Sequence, residues 1–179
     1  YNVVMGGLAG DDMTSADNSV AIGYRAGGDA DVALTGNNNT SIGFSTLTAN
    51  TSGQQNTAVG SVALTSNTTG QRNTSIGVSS LNSNITNSNN TAVGYTALFS
   101  NTADNNTGIG YATLSQNTSG TSNVAVGANS LDANTTASNN TGVGYNALTS
   151  NSTGESNCSL GTFALQSNTT AGDNSAFGK

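Results

Sequence analysis

A pentad of the form Asn-Thr-small-Val/Ile-Gly recurs about every seventeen residues from one end of this chain to the other. Its closing glycines are Gly6, Gly23, Gly43, Gly60, Gly77, Gly94, Gly110, Gly127, Gly144, Gly161 and Gly178. Eight of the ten intervals between them are 17 residues, one is 16 and one is 20. A fixed period across a whole sequence means that one structural unit stacks on itself, because a unit this short cannot bury its apolar residues alone. The chain therefore reads as a single repeat domain, residues 1–179. It also reads as a segment of a longer fibre, since the pattern is already running at Tyr1 and still running at Lys179.

Counted from the closing glycine, each column has its own chemistry. Four residues before it stands Asn (Asn39, Asn56, Asn73, Asn90 and onward), and three before stands Thr or Val (Thr40, Thr57, Val124). Two before is small except at Val4, and one before is large and apolar (Ile42, Val59, Ile76, Val93, Ile109). That alternation predicts a short β-strand in which positions three and one before the glycine share a face and the small residue points the other way. Because Val replaces Thr on the first face, that face is expected to look inward, with Val93 and Ile109 carrying stability. The Ala, Ser and Gly column is then expected outside, where a second backbone can approach closely. The glycine ends the strand with a bend that other residues tolerate poorly.

A second short strand is expected over the Ala-Leu pair three and four residues after the glycine, as in Ala63-Leu64, Ala97-Leu98 and Ala147-Leu148. Tyr24, Tyr95, Tyr111 and Tyr145 follow the glycine directly, but Ser61, Val78 and Ala128 interrupt the series, which favours a structural role over a carbohydrate-stacking stripe. Seven after the glycine comes a further Asn column, and beyond it a turn rich in Thr, Ser and Gly.

Two strands and two turns per seventeen residues predict an all-β fold, a parallel β-solenoid or β-roll of about ten coils, roughly 48 Å long at the spacing of paired strands. The 16-residue interval loses its residue between Asn101 and Asn106, and the 20-residue interval gains three between Gly28 and Thr35; both fall in turns. The second Asn column, Asn50, Asn67, Asn84, Asn101, Asn117, Asn134, Asn151 and Asn168, is predicted to form a structural ladder. In such a ladder each side-chain amide bonds the amide above and below it. A single coil is thin, offering about three large apolar side chains and no disulfide, so a homo-oligomer, with a trimer favoured, is expected.

Composition narrows the function classes. Only 7% of residues are charged, the net charge is −6, Lys and Arg total three, and His, Pro and Trp are absent. That leaves no cationic footprint for nucleic acid, and no apolar run is long enough to span a bilayer. Without His, and with one cysteine and scattered carboxylates, no acid–base pair is available, so neither an enzyme nor a cofactor is expected. Cys158 occupies a Thr position of the repeat and has no candidate base. The acids Asp11, Asp12, Asp29 and Asp31 lack a Ca²⁺-loop pattern and read as solvated turn residues, and no metal site is expected. Asn-x-Ser/Thr triplets such as those at Asn50, Asn67, Asn134 and Asn168 are frequent by chance in a chain of this composition.

The stretch Ser19-Val20-Ala21-Ile22-Gly23-Tyr24-Arg25-Ala26-Gly27 resembles the head repeat of trimeric autotransporter adhesins. The later copies, such as Asn90 to Leu98, are similar to the variant in long bacterial surface proteins and phage tail fibres. The resemblance runs over the whole chain. It implies a trimer of left-handed parallel β-rolls, extracellular, on a bacterial cell surface or a virion tail fibre. The expected function is a rigid, multivalent structural and adhesive module for surface attachment or host recognition. Surface glycans or other fibres are the expected partners, with neither nucleic acid nor membrane insertion. Two alternatives come from the repeat itself: a subunit stacking end to end into an extracellular filament, and an ice-binding β-solenoid with regular Thr arrays.

Overall fold

The computed structural model describes residues 1–11, 13–28 and 33–178. The chain is a parallel β-solenoid. Each repeat contributes one three-residue strand, from β1 (Val3–Met5) and β2 (Val20–Ile22) to β5 (Thr74–Ile76), β6 (Thr91–Val93), β7 (Thr107–Ile109) and β11 (Ser175–Phe177). All eleven lie side by side in sequence order in a single sheet. Pairing is parallel and in register, so identical columns face one another: Thr74 pairs with Thr91, Ser75 with Ala92 and Ile76 with Val93. The 16-residue interval leaves this register intact, with Thr91 opposite Thr107 and Val93 opposite Ile109. Of the 20-residue interval, residues 29–32, within the expected insertion, lie outside the described residues.

The strand ends where its glycine takes a backbone conformation closed to other residues. Gly77, Gly94, Gly110 and Gly144 all have φ of +136°, and a Cβ on Gly94 would sit 2.2 Å from the carbonyl oxygen of Gly110 in the next coil. Strain and collision together keep the column Gly.

Among the described residues no second strand follows. The residues two and four after the glycine lie instead in the left-handed region, and eight leucines, from Leu47 to Leu165, have φ between 47° and 53°. A strand would send Ala63 and Leu64 to opposite faces. Here both are fully buried, as are Ala97 and Leu98. The left-handed turn at each Leu lets two consecutive side chains point inward, and it leaves the backbone bonded in both directions: Val62 N–H donates to Phe44 O behind it (2.8 Å) and Leu64 N–H to Ser80 O ahead (3.0 Å). Burial of a leucine outweighs the cost of roughly 1–2 kcal/mol for holding it left-handed.

The strand faces are the reverse of those expected from the Thr/Val exchange. The small column is inside, with Ala21, Ala58, Ala92 and Ala125 wholly buried, while the large apolar column (Ile42, Val59, Ile76, Val93, Ile109) looks outward and is half-buried to exposed. The reason is volume. The interior is already filled by the leucine column, with which Ala58, Ala92 and Ala125 form one continuous core. A Cβ on Gly108 would meet Leu98 Cγ at 3.3 Å, and one on Gly142 would meet Ser130 Oγ at 2.6 Å. Only Ala, Ser or Gly fits there. The inward serines find partners, Ser75 Oγ bonding Ser80 Oγ at 2.6 Å and Ser159 Oγ donating to Ala164 O at 2.9 Å. The small column is therefore not the surface for close approach of another chain.

If both Ala97 and Leu98 point inward, Ala97→Asp and Leu98→Asp should each abolish folding, because each buries an unpaired charge. A strand there would leave one of the two variants with a near-native melting temperature, which circular dichroism would detect.

Candidate functional site: an outward apolar face held by asparagine ladders

Two asparagine columns brace the coil from within. In the second column the side chains bond one another directly: Asn67 Nδ2 donates to Asn50 Oδ1 (2.9 Å), Asn84 to Asn67 (3.0 Å), Asn117 to Asn101 (2.6 Å) and Asn134 to Asn117 (2.8 Å). Asn151 donates to Asn134 (3.3 Å) and Asn168 to Asn151 (2.8 Å). The same Nδ2 also donates to the carbonyl three residues on, as from Asn67 to Gly70 and from Asn134 to Ala137. The ladder is interrupted at one step. Asn101 does not reach Asn84, and Asn84 Oδ1 is buried without a partner. The four rungs Asn67, Asn84, Asn101 and Asn117 are thus two pairs rather than one run.

The first column works differently. Its Oδ1 accepts from the backbone N–H of the Asn one coil ahead: Asn56 N–H to Asn39 (2.9 Å), Asn73 to Asn56 (3.0 Å), and likewise as far as Asn174 to Asn157 (3.0 Å). In most repeats its Nδ2 reaches the turn carbonyl of the next coil, as from Asn56 to Gly70 at 2.8 Å, whereas Asn140 Nδ2 is buried without a partner. A side-chain amide thereby completes the backbone bonding along this column. Asn50, Asn67 and Asn134 are wholly buried in these bonds, so their Asn-x-Ser/Thr triplets are closed to glycan attachment in the folded chain.

What this frame presents is the outer face of the sheet. The columns one and three before the glycine carry no charged residue on any of the eleven strands. Ile76 and Ile109 are each 40% exposed there. Beyond the bend stand Tyr24, Phe44, Tyr95 and Tyr111, each about half exposed; Tyr24 stacks on Phe44 and Tyr95 on Tyr111, both with centroids 5.7 Å apart. Cys158, a free thiol, lies half-buried on β10 (Cys158–Leu160) in the same outward column as the threonines. The result is an apolar and hydroxyl stripe along the rod, larger than the isolated apolar positions common on monomer surfaces. One sequence signal marks its orientation. The small column never exceeds Ser except at Val4, and such a size limit belongs to a tight interior.

Among the described residues there is no pocket, and no group of three His, Cys, Asp or Glu stands together. Asp12, Asp29 and Asp31 lie outside the described residues. Among the described residues no helix is long and apolar enough to cross a membrane. Compared with known proteins, the chain matches no family model, no curated protein and no solved structure.

The ladder's bonding pattern has a direct energetic signature. Replacing the doubly bonded rung Asn117 by Ala should cost roughly 1–3 kcal/mol, and a double-mutant cycle should show coupling between Asn117 and Asn134 but additivity between Asn84 and Asn101. Equal coupling in both pairs would show that the ladder is continuous.

Proposed function

We propose that this chain is a rigid extracellular fibre module that works as a homo-oligomer, with a trimer favoured, and carries weak adhesive contacts in many copies along its length. The observation that carries the reading is the uncharged apolar stripe on the outer face of an in-register sheet. Any partner that covers such a stripe over many coils must have the same period. Another copy of this chain has that period by identity, so Ile76 can meet the same column of a neighbour at every rung. Pooling stripes from several chains adds a second apolar core between them to the narrow leucine and alanine core inside each one. The remaining surface, rich in Asn, Thr and Ser, suits weak contacts with glycans or other fibres, and repetition along a stiff rod turns weak contacts into avidity. The resemblance to adhesin heads and tail fibres points the same way, toward a bacterial surface or a virion.

A second reading is ice binding. The threonines of the strands, Thr40, Thr57, Thr74, Thr91 and Thr107, stand on five successive rungs of the outward face, each half-buried. Hydroxyl and methyl groups at one fixed spacing on a sheet can match a lattice.

Light scattering at micromolar concentration should give about three times the 17.6 kDa chain mass. Val93→Asp and Ile109→Asp, on the outward face, should keep the circular dichroism spectrum of the fold while reducing that mass to one chain. A folded single-chain mass in the parent protein would overturn the oligomer. Thermal hysteresis shown by that single chain, and abolished by Thr74→Tyr, would favour ice.

A further inference from the structure

One coil is short. Between Gly94 and Gly110 the interval falls to 16 because the bend from Asn101 to Asn106 has one residue fewer than its neighbours. At this step the stack loses three bonds in a row. Asn84 Oδ1, wholly buried, has no partner: Asn101 Nδ2 keeps the bond to its own bend, at Ala103 O (2.7 Å), but not the second bond, to the coil behind, that the other rungs from Asn67 to Asn168 make. One residue on, Thr68 N–H donates to Ile85 O (2.7 Å) and Thr102 N–H to Thr118 O (3.0 Å), yet Ile85 N–H makes no bond to Thr102. The third is a hydroxyl bond. Thr68 Oγ1 reaches Ile85 O at 3.1 Å and Thr102 Oγ1 reaches Thr118 O at 2.8 Å, but Ile85 has no hydroxyl to give.

The gap has clear limits. Ser83 N–H still donates to Phe99 O (3.0 Å) on one side, and Ser88 N–H to Asp104 Oδ1 (2.7 Å) on the other. Ile85 itself is 50% exposed, an apolar side chain in a column that is otherwise Thr or Ser from Thr51 to Thr169.

We propose that this step is a parting line built into the rod: the bend from Asn84 to Asn87 opens before its counterpart in any other described coil, and under heat or load the stack separates there into two blocks. In a one-dimensional stack the weakest nearest-neighbour interface decides where it parts. Local opening follows the number of bonds and the buried surface that hold a segment. Among the internal bends from Asn50 to Asn151, the bonds to the coil ahead are fewest here, while the sheet continues unbroken from β6 to β7.

Amide hydrogen exchange on the folded protein tests this. The Ile85 N–H should exchange at least roughly tenfold faster than those of Thr68 and Thr118, the equivalent amides of flanking coils. Equal protection overturns the proposal without any variant being needed. A repaired chain, Ile85→Thr with one glycine inserted between Ala103 and Asp104, restores the 17-residue interval and aligns the insert with Gly120. It should slow exchange at position 85 by about the same factor and leave Thr135 unchanged. A folded repaired chain that still exchanges as fast at that position also overturns it, since the missing bonds would then not be the cause.

Discussion

Each coil lies at backbone hydrogen-bonding distance from the next around most of its perimeter, and this one spacing governs the rest of the molecule. In-register pairing places every residue directly over its equivalent one repeat earlier. A column must therefore tolerate contact with itself. Glycine does so at the bend, where the next coil's Gly carbonyl comes within 3 Å of where a Cβ would stand. Asparagine does so in the interior, because a primary amide carries both a donor and an acceptor and can bond its own kind. Threonine does so at the turn, its hydroxyl bonding the carbonyl one coil ahead. Charge does not, since like charges would meet at every rung, and the near absence of charged residues follows from the same rule.

The core is accordingly divided. On one side the leucines and alanines supply non-directional burial, which sets no particular register. On the other the asparagines are wholly enclosed, and an unbonded amide there costs far more than a bonded one contributes. A slip by one residue would orphan an entire column of buried amides. The amides thus specify the alignment of coils and the leucines supply much of the cohesion. The one-residue deletion is accommodated by abandoning the ladder locally, as the orphaned oxygen of Asn84 records.

A stiff frame of this kind leaves its chemistry to its outer face. The proposed assembly and the alternative of a lattice-matching face draw on the same strand face of the coil, and the parting line draws on another part. Self-association draws on the strand face beside the closing glycine. The parting line belongs to the turn side, bounded by Ser83 and Ser88, so oligomer packing on the strand face and opening at the bend involve separate residues.

The period, the strand before each glycine, the parallel stacking, the two Asn columns and the confinement of the deletion between Asn101 and Asn106 to a turn were all legible in the sequence, because each depends only on what recurs at a fixed interval. Which side of the strand faces inward was not legible. Alternation shows that Ile76 and Thr74 share a face and that Ser75 opposes them, but both assignments satisfy it. The choice came from volume, since left-handed leucines such as Leu81 already fill the interior and leave room only for small side chains. That left-handed turn was equally hidden, because an Ala-Leu pair has no local reason to avoid a strand. Only closure of the coil, which needs both side chains inside within a few residues, makes the strained conformation the favourable one.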